Sequence, residues 1–90
     1  MSGWCVYILA CGDGSLYTGA TNDFPARLAT HREGRGARYT RGRGPLLAVY
    51  LEPCAGRSEA LSREHRIKRL SLAKKRALCA QPVDSLERRR

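Results

Sequence analysis

Two phenols, a guanidinium, an imidazole and an out-of-place carboxylate stand out in this 90-residue chain. Phenols and imidazoles donate and accept protons, and a guanidinium grips phosphate oxygens through its planar fork. The phenols sit in two short clusters, Val6-Tyr7-Ile8 and Tyr17-Thr18-Gly19, divided by the turn signal Gly12-Asp13-Gly14. A β-hairpin puts one tyrosine on each strand. A three-residue turn pairs Cys11 with Ser15 and sends both phenols to one sheet face, whereas a two-residue turn would part them. Gly14 favours the longer turn, because three-residue hairpins commonly need a left-handed third position. Arg27 and His31 lie one helical turn apart beside Phe24 and Leu28, at the core-facing edge of a helix. Taken singly, each has a structural explanation: an arginine stem laid over apolar surface, and a hydrogen-bonded boundary histidine. Glu64 is the sharper anomaly. Ala60, Leu61 and Ile67 define an apolar stripe and the carboxylate falls inside it, where the structural alternative is an ion pair with Lys68 at i+4. Glu59 lies in the first turn of the same helix, where the helix dipole accounts for it.

The elements that must position these groups follow from local pattern. Residues 4–10 are apolar on both faces, as in a central strand covered from both sides. Residues 16–20 are the hairpin partner. Thr21-Asn22-Asp23 followed by Phe24-Pro25 reads as a helix start, with Asn or Asp as N-cap and Pro in the first turn, and the helix runs to about Arg32. Residues 34–44 form an arginine- and glycine-rich loop, and residues 45–52 resume as a third strand ended by Pro53. Ser58 is placed to cap a second helix to about Leu70, and Ser71 a third to about Ala80. The order β-β-α-β-α-α gives a small α/β domain, a three-stranded, largely antiparallel sheet packed with helices, over residues 1–80. Residues 81–90 read as a basic, flexible tail ending in Arg88-Arg89-Arg90.

Composition narrows the partner. Seventeen Lys and Arg against eight Asp and Glu give a net charge of +9. That balance suits a protein that meets a polyanion, and nucleic acid leads. Fourteen of the seventeen cations are arginine, whose fork suits bidentate phosphate contacts. The four cysteines, at 5, 11, 54 and 79, include no C-x-x-C pair, and the opening residues lack a signal peptide's apolar run; free thiols in a reducing cytoplasm are expected. Neither His31 nor His65 completes a structural zinc set, and no apolar stretch reaches membrane-spanning length. The loop carries five arginines between positions 32 and 43 with only Glu33 against them. Such a loop can follow a flexible nucleic-acid strand with Tyr39 stacked on a base, or it can be a solvated disordered segment. Lys68 and the lysines and arginine at 74–76 extend the basic surface.

These residues, in order, resemble the GIY-YIG nuclease superfamily. Val6-Tyr7-Ile8 stands for its first motif and Tyr17-Thr18-Gly19 for its second, with Val6 replacing a Gly and Thr18 an Ile. Asn22-Asp23-Phe24, Arg27-Leu28, His31, Gly36-Ala37-Arg38-Tyr39-Thr40, Glu59-Ala60-Leu61, Glu64 and Ile67-Lys68 continue the series. It is similar to a small stand-alone bacterial branch and to the nuclease domain of junction endonucleases, over about residues 4 to 80. The resemblance implies metal-dependent phosphodiester hydrolysis in DNA repair or processing, with DNA ahead of RNA as partner, no membrane role, and room for a protein partner. It places Mg²⁺ or Mn²⁺ on Glu64 near the leaving oxygen, water activation or positioning at Tyr7, the scissile phosphate at Arg27, and Tyr17 and His31 in the surrounding polar network. Gly19, Arg35, Arg38, Tyr39, Thr40, Arg41, Arg43 and Lys68 become nucleic-acid contacts. A free phenol titrates near pH ~10, so a basic Tyr7 requires adjacent cations to lower its pKa. The alternatives are a noncatalytic nucleic-acid-binding module of the same fold and a basic accessory protein acting through a protein partner.

Overall fold

The computed structural model describes residues 3–80; the tail expected at 81–90 lies outside them. Within that span the chain forms β1 (Cys5–Ala10), β2 (Leu16–Thr21), α1 (Phe24–Arg32), a 3₁₀ turn (Arg38–Thr40), β3 (Leu47–Pro53), α2 (Arg57–Lys68) and α3 (Leu72–Cys79). The expected order and fold class hold. All strand pairs are antiparallel and the sheet order is β2-β1-β3, which makes the doubly apolar β1 central. Its register pairs Tyr7 with Gly19 and Leu9 with Tyr17. The turn closes as the three-residue reading requires: Cys11 N–H donates to Ser15 O at 2.9 Å, and Gly14 takes φ +87°. Both tyrosines therefore share a face.

Alternation along β1 divides the core. Val6 and Ile8 pack with Ala60 and Ile67 of α2, and with Leu78 and Cys79 of α3. Tyr7, Leu9 and Cys11 pack on the other face with Leu46, and with Phe24 and Leu28 of α1. Asp23 caps α1 by accepting from Ala26 N at 3.2 Å, and Ser71 caps α3 through Lys74 N. The expected Ser58 cap is not used: α2 starts at Arg57 after an extended Gly56, without a side-chain cap. Leu61 also leaves the expected stripe. It is 39% exposed, while Ala60 and Ile67 are fully buried. Arg63 bonds Glu52 at 3.0 Å and so ties α2 to β3. Among the described residues the cysteines are free, and no helix is long and apolar enough to cross a membrane.

Candidate active site

Tyr7 is the centre of the site. Its ring lies across β2 over Gly19, where an added Cβ would fall 2.5 Å from the phenol Cζ. Tyr17 stands diagonally across the strand pair at 6.4 Å between ring centroids, and Phe24 walls the other side at 5.2 Å. Helix α1 brings in His31, whose Nε2 is 2.8 Å from the Tyr7 hydroxyl. The imidazole is no boundary residue: it is 1% exposed, and its second nitrogen meets Thr40 Oγ1 at 3.0 Å and the Ala37 amide nitrogen at 3.3 Å. Arg27, one turn earlier on α1, lies near enough for its guanidinium to pull the Tyr7 phenol's pKa down. From α2, Glu64 is 19% exposed and pairs with Lys68 at 2.9 Å. The Lys68 ammonium in turn stands 6.0 Å from the Tyr17 ring.

Burial pushes Tyr7 up to about 12; Arg27 opposes that shift, while Tyr17 and Glu64 add to it. The expectation that neighbouring cations depress this phenol is thus not met by the protein's own charges, because desolvation of a buried phenolate outweighs one guanidinium. His31 is lowered, first by burial and then by Arg27. At neutral pH the centre is a neutral phenol against a neutral imidazole, within the influence of both Arg27 and Glu64.

The arginine–glycine loop is docked, not loose, and glycines in the loop and in the β1–β2 turn that it meets allow close packing. A Cβ at Gly36 would lie 2.8 Å from His31 Cγ, and one at Gly12 would lie 2.8 Å from the Gly44 carbonyl carbon. Gly12 N–H also donates to Arg43 O at 2.6 Å. Arg43 pairs with Asp13 and lies 4.3 Å over the Tyr39 ring, which stacks on Tyr17 at 5.9 Å and 25°. Arg35 pairs with Glu33, whereas Arg38 and Arg41 stand exposed. Thr40, expected at the nucleic-acid surface, is 2% exposed and holds His31. Gly19, expected to border a phosphate, is buried beneath Tyr7. Sequence reading missed Phe24, Gly36 and Ala37 as parts of the site. Their signal was the short motifs themselves, in which Phe24 reads as part of a helix start and Gly36-Ala37 only as members of the ordered series.

Among the described residues no group of three or more His, Cys, Asp and Glu could hold a metal ion. Glu64 offers a single carboxylate. Mg²⁺ keeps several waters and commonly binds through one or two carboxylates plus substrate phosphates, so this donor set fits an open site shared with substrate.

Residues 3–77 match the family model described as the GIY-YIG catalytic domain. The chain belongs to the GIY-YIG family. Its relatives include a UPF0213 protein of Desulfotalea psychrophila, 51% identical over 76 residues, covering 83% of this chain and 69% of the relative. A UPF0213 protein of Halobacterium salinarum is 51% identical over 73 residues, covering 81% and 95%. The solution NMR structure of a Bacillus halodurans UPF0213 protein is similar at 47% identity and TM-score 0.55, covering 83% of this chain and 80% of that one. An E. faecalis protein solved by NMR gives 36% and 0.58, with 87% and 88% covered. In this member of the GIY-YIG family the second motif's glycine is the seat of the first motif's tyrosine.

Proposed function

We propose that this GIY-YIG chain is a divalent-metal-dependent endonuclease that hydrolyses phosphodiester bonds in DNA. The observation that carries the reading is the convergence of Tyr7, Tyr17 and His31 from three elements, with His31 on the phenol oxygen and the charges of Arg27 and Glu64 felt there. Hydrolysis of a phosphodiester needs a placed water, a group to take its proton, and cations for the developing charge. The Tyr7 hydroxyl positions the water; as the water oxygen bonds to phosphorus and the P–O bond to the leaving oxygen breaks, the water's proton passes to that departing oxygen, which leaves as an alcohol, and Arg27 serves both the phenol and the phosphate beside it. Tyr17 and Phe24 wall the phenol and exclude bulk solvent. Glu64 would hold Mg²⁺ or Mn²⁺, and the ion would supply positive charge near the leaving oxygen and offset the carboxylate that raises Tyr7. Arg38 and Arg41 face outward from a fixed loop and contact the backbone of the nucleic acid, DNA ahead of RNA. The domain acts as one unit over residues 1–80.

The pairing of Glu64 with Lys68 favours a second reading, a nucleic-acid-binding module without cleavage. End-labelled single-stranded, duplex, flap and junction DNA, incubated with the protein in Mg²⁺ or Mn²⁺ and again with chelator, separates the two. Cuts that vanish with chelator and with Tyr7→Phe support the enzyme. Mobility shifts with no cuts on any substrate would overturn it in favour of the module.

A further inference from the structure

His31 has two ring nitrogens and a partner on each, so its protonation can be read from what the partners donate. Nε2 faces the Tyr7 hydroxyl at 2.8 Å, a contact that by itself allows either direction. Nδ1 is decisive. The Ala37 peptide N–H points at it across 3.3 Å, and an amide can only donate. A proton on Nδ1 would face that amide proton head on. Thr40 alone would allow either tautomer: its hydroxyl proton serves Nδ1 at 3.0 Å, or serves Ala37 O at 2.9 Å and leaves Oγ1 to accept from Nδ1–H, and this second arrangement is the one the Ala37 N–H opposes. The doubly protonated ring is disfavoured by near-complete burial beside Arg27. A neutral ring with a bare Nδ1 carries its proton on Nε2, and the acceptor there is Tyr7 Oη.

We infer that the docked loop locks His31 in the Nε2–H tautomer through the Ala37 amide, so that His31 donates to Tyr7 and cannot serve as its base. The phenol's own proton is thereby turned away from His31. Gly36 is part of the lock, since a Cβ there would press on the ring at 2.8 Å from Cγ and push the neighbouring amide off Nδ1. His31 is a positioning residue in this account. The inference stands whether or not the chain cleaves DNA; for a nuclease it means that any proton taken from water through Tyr7 leaves by a route other than this imidazole.

Long-range ¹H–¹⁵N correlation spectra of protein labelled at histidine nitrogen read the tautomer directly. His31→Gln identifies which signals belong to His31 and which to His65. The expected wild-type pattern at neutral pH is a protonated, pyrrole-type Nε2 and an unprotonated, pyridine-type Nδ1. A protonated Nδ1, an imidazolium, or signals averaged between tautomers would each overturn the inference. Thr40→Val, which removes the hydroxyl but leaves the Ala37 amide, is expected to keep the Nε2–H pattern; a switch to Nδ1–H in that variant would also overturn it. If Thr40→Val does not fold, the wild-type spectrum alone decides.

Discussion

Replacing Gly19 by Ala tests the geometry on which the site depends. The new Cβ would lie 2.5 Å from Tyr7 Cζ, where ordinary contact begins at 3.4 Å, so the phenol must move by close to an ångström. It has little freedom to do so, being 1% exposed and wedged among Phe24, Tyr17 and His31. Overpacking of this kind costs roughly 1–3 kcal/mol. Losing the hydrogen bond to His31 adds about 1 kcal/mol. For a domain of this size each kcal/mol lowers Tm by roughly 4–8 °C, so a total of roughly 2–4 kcal/mol predicts a fall of about 8–30 °C. Calorimetric melting of Gly19→Ala beside wild type measures it, and the His31 nitrogen signals report whether the bond to Tyr7 survives. A variant that melts within about 2 °C of wild type, with unchanged His31 signals, would refute the seat assigned to Gly19.

Glu64→Gln is expected to abolish metal-dependent cleavage while keeping nucleic-acid affinity and shifting stability by at most ~1 kcal/mol, since its ion pair is partly solvated; cleavage that persists across a Mn²⁺ titration with only a lower Tm would return Glu64 to a structural role. Lys68→Met frees the Glu64 carboxylate from its present partner, and Mn²⁺ should then bind roughly 2–5-fold tighter by calorimetry; equal affinity in the two proteins speaks against that competition. His31 has a folded pKa below its ordinary 6.5, so the unfolded chain binds the extra proton first and stability is lost as pH falls below about 6.5. Asp13 is held down to about 2 by hydrogen bonds from Ser15, with Arg43 adding to them; its contribution, full above its ordinary value, is lost as pH falls through about 2. Melting curves from pH 8 to 2 should show the first loss in wild type and not in His31→Gln, and identical profiles would count against it. The Thr18 hydroxyl is buried without a partner among the described residues, so Thr18→Val should raise stability by about 1 kcal/mol; a lower Tm would mean the hydroxyl is satisfied in solution.

What could be read from the sequence was what local pattern encodes. The hairpin register followed from Gly12-Asp13-Gly14 and strict alternation, and Asp23 and Ser71 announced their helices because a cap is a bond within a few residues. The start of α2 carries no such bond, so Ser58 was a misleading signal. Leu61 was placed in the buried stripe because too few apolar residues mark the face of α2 to fix its phase. The loop misled for a different reason. Glycines and arginines look the same whether they confer freedom or permit contact, and only the fold brings Gly36 onto His31 and Gly12 onto Gly44. The Tyr7 titration escaped likewise: its partners were legible, but the depth of burial that outweighs Arg27 belongs to the assembled core.

The alternation of β1 also bears on how such a protein can change. Tyr7 lies between Val6 and Ile8, so residues that set the Tyr7–His31 centre and residues that hold α2 and α3 are neighbours in sequence yet divided by the thickness of a sheet. Tyr7's face is constrained by ring positions and proton direction, whereas the face of Val6 and Ile8 needs only volume and apolarity. Stability can therefore drift by repacking the second face without disturbing the first. A one-residue slip of β1 against β2 and β3 has no such tolerance. It would carry isoleucine to the place of the phenol and drive a hydroxyl into the apolar layer, losing the hydrogen bond to His31 and the cohesion of the core together.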